Sequence, residues 1–318
     1  MPELFCAFWN VENLFDVSGS PRRSEKLERT LGSALRGWTE DLLSRKIEQL
    51  AEVILAMNGR LGPDLLGVCE VENAWVLQRL CTRLSESGRD YRVVHADSDD
   101  PRGIDVAFIY DGTRLSAHEK FSHFVQKRYA TRDIFQVNFK TQRDHLLVVL
   151  GNHWPARSAG VYESEPYRII AAETLAYFHE RIREIHGSHV GVMAMGDFND
   201  QPFDRSITEY ALGEATRPKV TLARTPRFLN MSWPLMADGQ GSFFYENRPF
   251  LFDQFLVSKG LLTGRSGLRV IDDTASVFMY PAMVSGGTYP TPLPFGDGDD
   301  HDPNGFSDHY PVTLRLKE

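Results

Sequence analysis

Five short apolar runs of the chain adjoin carboxylates, amides or imidazoles. "LFCAFWN" closes on Asn10, "DLLGVCE" on Glu70, and "HLLVVLGN" runs into Asn152 and His153. "VGVMAMGDFND" carries Asp197 and Asn199, and "GFSDHYPV" sets Asp308 and His309 just before the final apolar run. Carboxylate and amide oxygens suit a hard cation such as magnesium, and a histidine titrating near neutrality suits proton transfer. The stretch "GNHWPARSAG" poses the choice most sharply. It reads either as a loop whose His153 and Arg157 face a phosphate, or as a surface turn with a capping Asn. Singly, each ending has a plain structural reading: Asn10 caps a helix, Glu70 starts one, "GDFND" turns the chain. Together they converge on one edge, and strand ends in packed α/β sheets are where sites assemble.

The elements that must hold these residues alternate between strand and helix. "LFCAFWN", "DLLGVCE", "GIDVAFIYD", "IFQVNF", "HLLVVLGN", "VGVMAMGD" and "FLFDQFLVS" read as buried strands. Leu43, Ile47, Leu50, Ile54 and Met57 follow helical spacing, as do Ala171, Leu175, Phe178, Ile182 and Ile185. Short gaps around residues 111–145 point to antiparallel pairing. No linker, repeat or low-complexity tract divides residues 1–318, so the expectation is a single α/β domain with two sheets packed face to face. Residues 281–306, rich in Gly and Pro, read as a functional loop that shapes access rather than stability.

With 42% apolar and 25% charged residues, the composition is that of a soluble globular protein. The apolar run near the start is too short to span a membrane and lacks a basic flank, which points to a cytoplasmic protein. Cys6, Cys69 and Cys81 lie in apolar segments without metal-ligand spacing and read as buried reduced thiols. A net charge of −8 fits a nucleic-acid binder only if a basic patch is local, or if carboxylates are gathered around a cation. The acidic stretch "GDGDDHDPNG" lacks the Gly and bidentate Glu of an EF-hand and reads as a solvated loop. Residues 20–37, with Arg22, Arg23 and Lys26, read as a solvated helix or mobile loop, with a backbone-contacting segment as the alternative. Trp38 and Tyr162 are candidates for stacking on a base or sugar.

"FWNVENLF", "GVCEVEN", "RGIDVAFIY", "GNHWPAR", "GDFND", "FDQFLVS" and "GFSDHYPV", in that order over residues 5–313, resemble the endonuclease/exonuclease/phosphatase superfamily with its deoxyribonuclease I-like fold. The resemblance implies a four-layer α/β sandwich, two mixed sheets flanked by helices, and metal-dependent phosphate-ester hydrolysis. By the same resemblance His309 matches the general base and Asp253 the carboxylate that orients it. Asp197 matches the residue that aligns the attacking water, Asn199 a phosphate contact, and His153 a second His on the phosphate. Glu70, with Asn10 and Asp308 beside it, is the candidate Mg2+ site, with Mn2+ as a substitute. Asn10, Asn152, Arg157 and Arg102 are candidate phosphate contacts, and Asp105 the partner of His153.

The substrate is less legible. No apolar loop suits entry into a membrane, which argues against lipids, and no concentrated Lys/Arg patch suits highly phosphorylated inositols. A nuclease acting on DNA or RNA, or a nucleotide phosphodiesterase, is the leading expectation. A small-molecule phosphatase on the same fold is the alternative. A binding module without turnover is disfavoured because Glu70, Asp197, Asp308 and His309 are all present.

Overall fold

A computed structural model describes residues 2–128, 130–287 and 289–318. The chain starts with β1 (Glu3–Leu14), followed by α1 (Glu25–Leu31), α2 (Glu40–Arg60), β2 (Leu65–Val71), α3 (Ala74–Ser85), β3 (Tyr91–His95) and β4 (Asp105–Asp111). It then builds β5 (Leu115–His123), β6 (Ile134–Thr141), β7 (Leu146–His153), the long α4 (Val161–His186) and β8 (Gly191–Asp197). Short strands β9 (Gly213–Glu214) and β10 (Phe228–Asn230) and the hairpin β11 (Phe243–Tyr245)–β12 (Arg248–Phe250) follow. The last strands are β13 (Asp253–Ser258), β14 (Arg269–Val270), β15 (Ser276–Val277) and β16 (Val312–Lys317).

Among the described residues these strands form two seven-stranded mixed sheets. The first runs β14-β16-β1-β2-β4-β3, with β15 also on β16; the second runs β5-β6-β7-β8-β13-β10-β9. Each sheet has a parallel pair near its centre, β1 with β2 and β7 with β8, and the second has another, β9 with β10, at its edge. A parallel pair delivers both C-terminal ends to the same edge, so Asn10 lies beside Cys69 and Glu70, and His153 beside Asp197. Antiparallel β13 starts at that edge with Asp253 opposite Asp197. β16 runs antiparallel to β1, which returns the preceding residues, Asp308 and His309, to the same edge.

Burial explains why β7 is apolar along its whole length. Leu147 and Val149 face the core between the sheets, while Val148 and Leu150 face the layer under α4 with Ala171, Leu175 and Ile182. The sheets approach closely enough that a Cβ on Gly151 would lie 2.6 Å from Val106 Cγ1 of the other sheet. Both helical spacings seen in the sequence fall in α-helices, although Met57 already leaves helical backbone at a kink (ψ 164°) and Ile185, in the last turn of α4, is exposed. No helix among the described residues is long and apolar enough to cross a membrane.

The long loop is pinned at a few points. Within residues 281–306 (Thr288 lies outside the described residues) Met283, Phe295 and Phe306 are buried and the Phe295 ring meets Trp38 edge-on at 5.7 Å, while most of the remaining residues are exposed or half-buried. Trp38 is therefore interior, its Nε1 donating to Phe15 O, and offers no stacking surface; Tyr162 is exposed. The 20–37 segment contains the largely solvated helix α1, and buried Arg23 ties its start to the body of the fold by donating to both carboxylate oxygens of Glu72, at 2.8 and 2.6 Å. The three cysteines are free and buried.

Candidate active site

The converging strand ends line a cleft of ≈ 480 Å³. Its best-defined feature is a dyad: His309 Nδ1 lies 2.6 Å from Asp253 Oδ2, both buried, bridging the two sheets. The loop before β16 is fixed from below, since Ser307 Oγ donates to Asn10 O at 2.7 Å and His309 N donates to Ser307 Oγ. His309 Nε2 then points toward Asp197 Oδ2, 4.0 Å away. Burial works against a charged imidazole, but Asp253, Asp308 and Asp197 outweigh it and lift His309 well above its usual range. Asp253, Asp197 and His309 also offer ligand atoms within 4.8 Å of one another, the spacing of a small metal cluster. The 2.6 Å bond already occupies Nδ1, and the set reads better as a proton-handling group.

Asn10 joins the two halves. Its Nδ2 donates to Asp197 Oδ2 at 3.2 Å and lies 3.4 Å from Glu70 Oε1, while its Oδ1 accepts from Glu12 N. The amide thus turns its nitrogen, not its oxygen, toward the two carboxylates. Glu70 sits at a bulge of β2 with φ 64°, a conformation a side-chain-bearing residue adopts only under local constraint. Glu12 and Asn13 have φ 50° and 55° at the matching irregularity of β1. These paired bulges turn Glu70 into the cleft and hold it through Asn13 N, 3.1 Å from Oε2.

Burial, with Asp253 adding to it, pushes Asp197 up to about 6, against the opposing pull of His309. Burial with Glu12 and Glu70 nearby pushes Asp308 up to about 7. Glu70 and Asp308 thus form an all-oxygen, charge-deficient set, a donor chemistry that fits a hard divalent cation. His153 is the opposite case: burial, then Arg132, Arg102 and His309, hold it well below its usual range, so its ring is neutral. Its Nε2 lies 3.6 Å from Glu70 Oε1 and 3.8 Å from Asp197 Oδ2, and its Nδ1 is buried without a partner. Arg102 also lines the cleft, 3.7 Å from Glu70. Asn199, at φ 50°, donates its side chain to Trp154 O and its backbone N–H to Asp197 Oδ1, and lines the cleft.

Three expected residues are engaged elsewhere. Asn152 is wholly buried, donating to Leu150 O and accepting from Trp154 Nε1, so its polar atoms build the turn. Arg157 donates to Asn199 O, Asp200 and Asp204, clamping "GDFND" from behind instead of facing a phosphate. Asp105 accepts from Ser98 N and lies 3.1 Å from His95 Nε2, and therefore does not serve His153. Conversely, sequence reading missed Glu12, whose carboxylate receives Phe295 N and Gly296 N, and Lys46, buried with its ammonium on Glu12 O and 4.3 Å from the Phe295 ring. The signal for Lys46 was a cation one position from Ile47 on the apolar face of α2. Arg132 and Lys127, which also line the cleft, carried no motif.

A family model described as the endonuclease/exonuclease/phosphatase family matches residues 5–318. No curated protein matches the chain. Among solved structures, the human Nocturnin catalytic domain with bound sulfate anion is 17% identical, with 99% of this chain and 94% of that one covered at TM-score 0.60. Danio rerio TDP2 complexed with a single-strand DNA product is 12% identical, with 99% of each chain covered at TM-score 0.61. The mannosyl-6-phosphatase Bt3783 of Bacteroides thetaiotaomicron is 15% identical, with 99% and 100% covered at TM-score 0.56. These likenesses show the shared fold.

Proposed function

The chain belongs to the endonuclease/exonuclease/phosphatase family, and on that premise we propose that it is a divalent-metal-dependent phosphodiesterase, a nuclease that cleaves DNA or RNA with an activated water. The observation that carries this reading is the His309–Asp253 dyad aimed at Asp197, across a cleft from the carboxylates of Glu70 and Asp308. His309 takes the proton of a water that Asp197 aligns, and Asp253 fixes the ring and stabilises the imidazolium. Neutral His153 donates from Nε2 to a phosphoryl oxygen, with Asn199 beside it. Glu70, positioned by Asn10 Nδ2, and Asp308 would hold Mg2+ or Mn2+. Bound there, the cation neutralises phosphoryl charge and offsets the carboxylates that retain the His309 proton.

Arg102, Arg132 and Lys127 supply the local basic wall that an acidic protein needs to receive a phosphodiester. The DNA product named for the zebrafish relative supports a nucleic-acid substrate. The second reading, a small-molecule phosphatase, draws on the modest cleft of ≈ 480 Å³ and on the sugar phosphatase relative. Incubation with single- and double-stranded DNA, RNA, bis(p-nitrophenyl) phosphate and p-nitrophenyl phosphate, with magnesium, manganese or EDTA, separates the two. Turnover of monoester alone overturns the nuclease reading, and full activity in EDTA overturns the metal.

A further inference from the structure

At the opposite end of β8 from Asp197 lies a second cavity, of ≈ 410 Å³, that the catalytic reading does not use. Its distance from the dyad is set by the strand: Gly191 to Asp197 spans about 20 Å at the usual strand rise. Arg183, Arg224, Arg227 and Lys259 line it, with His179 and His189, and among the described residues no carboxylate does. In a chain of net charge −8, so many cations around one hollow need a reason.

The cations are only partly engaged. Arg183 donates through Nη1 to Arg224 O, and Lys259 Nζ reaches Ala223 O at 3.4 Å, so both grip one loop by its backbone and keep further donors. Arg227 pairs with Glu214, which Lys219 also approaches. The floor is partly apolar, with Val190 and Val220, and Leu222 stands exposed at the rim. The hydroxyl-bearing Ser188, Thr225 and Ser258 also line the cavity, and the His179 ring stacks on Phe228 at 3.9 Å. A ring of donors over an apolar floor, at this volume, is the make-up of a site for a small organic anion.

We infer that this cavity binds a phosphate group, presented by a free nucleotide or by a nucleic-acid strand, at a site separate from the catalytic cleft. Guanidinium and ammonium groups recognise phosphate by charge-assisted hydrogen bonds, and the apolar floor receives the attached base or sugar. The inference does not depend on the catalytic reading.

The test is backbone amide NMR titration of the whole chain carrying His309→Ala, with inorganic phosphate, AMP and a short oligonucleotide as probes. Saturable shifts are expected at residues 223–227 and 259–260. Tighter binding of AMP than of phosphate names the nucleotide, and tighter binding of the oligonucleotide than of AMP names the strand. Arg224→Gln with Lys259→Gln should weaken those shifts roughly tenfold or more and leave shifts at the catalytic cleft in place. Should that variant fold poorly, the His309→Ala protein must still lose affinity as salt is raised. Absence of saturable shifts at 223–227 with all three probes, or affinity unmoved by both the substitutions and salt, overturns the inference.

Discussion

Strand β2 has an acidic cluster at each end, and the two are built on opposite terms. At its N-terminal end Asp64 and Asp111 share Arg89, whose Nε lies 2.7 Å from Asp111, and Asp64 also accepts Phe5 N at 2.7 Å. Burial alone would raise the Asp111 carboxyl, but the N–H and hydroxyl of Thr113 and the Arg89 guanidinium hold it below its usual range. At the C-terminal end Glu70, Asp308, Asp197 and Glu12 converge, with Asp308 pushed up to about 7 and Asp197 up to about 6. Lys46 is buried beneath them and is itself lowered to about 8 by its own burial, against the pull of Glu12, Asp308 and Glu70. The first cluster is closed by the chain's own donors. The second holds Asp308 and Asp197 raised by burial and by neighbouring carboxylates and is lined with left-handed backbone, features that suit a site kept open for a ligand.

The largest effect should come from the dyad of the open cluster. His309→Ala is expected to lower kcat by roughly 10² to 10⁴, the usual range for a general base. Asp253→Ala should cost nearly as much and the double substitution little more, because residues acting as one unit are non-additive. Fully multiplicative losses in single-turnover assays would show that the two act independently.

The closed cluster should answer in stability instead. Arg89→Ala leaves nearly buried Asp111 without its cation and Asp64 with only Arg114, 3.5 Å away, and is expected to cost about 3 kcal/mol in urea unfolding. The kcat of the folded fraction should stay within about twofold of wild type, as expected for a distant, independent site. A large loss of turnover would mean that strain travels along β2 and that the clusters are not separate devices.

Glu70→Gln sharpens the contrast from the other side. Removing one charge from the open cluster should leave the cation-free protein as stable as wild type or more so, while turnover collapses. Wild type should gain about 2.7 kcal/mol in magnesium at a hundred times its Kd, and the variant should gain far less. Equal magnesium stabilisation of both proteins, measured by thermal shift, would move the cation away from Glu70.

This division of labour is partly legible in the amino-acid sequence. The order of strands and helices and the convergence of Asn10, Glu70, His153, Asp197 and Asp308 follow from short apolar runs, helical spacing and where the polar residues fall. What the pattern cannot say is which polar side chain is captured by a neighbour remote in sequence. Asn152 is taken by the Trp154 indole, Arg157 by Asp200 and Asp204, Asp105 by His95. The same blindness hides Glu12, whose role rests on backbone donors 283 and 284 residues away. In loop 281–306 Gly and Pro mark the irregular backbone, but the burial of Phe295 and Met283 depends on partners that only folding supplies.

The smallest and most diagnostic difference is a sign. Asp111 has a folded pKa below its unfolded value, so its contribution is present above about 4 and lost as pH falls through the folded value. Asp197 has a folded pKa raised to about 6, so its contribution is present below the unfolded value and lost as pH rises through about 6. Two isosteric substitutions, compared with wild type by urea unfolding in EDTA, therefore separate in opposite directions. Asp111→Asn should be less stable than wild type at pH 7 by about 1 kcal/mol, with the two curves converging as pH drops below about 4. Asp197→Asn should match wild type near pH 4 and become the more stable protein by about 1 kcal/mol as pH rises past 6, because the amide never acquires the charge that burial and Asp253 oppose. Parallel pH curves for the two variants would mean that both ends of β2 are compensated alike, and the distinction between a closed structural cluster and an open catalytic one would fall with them.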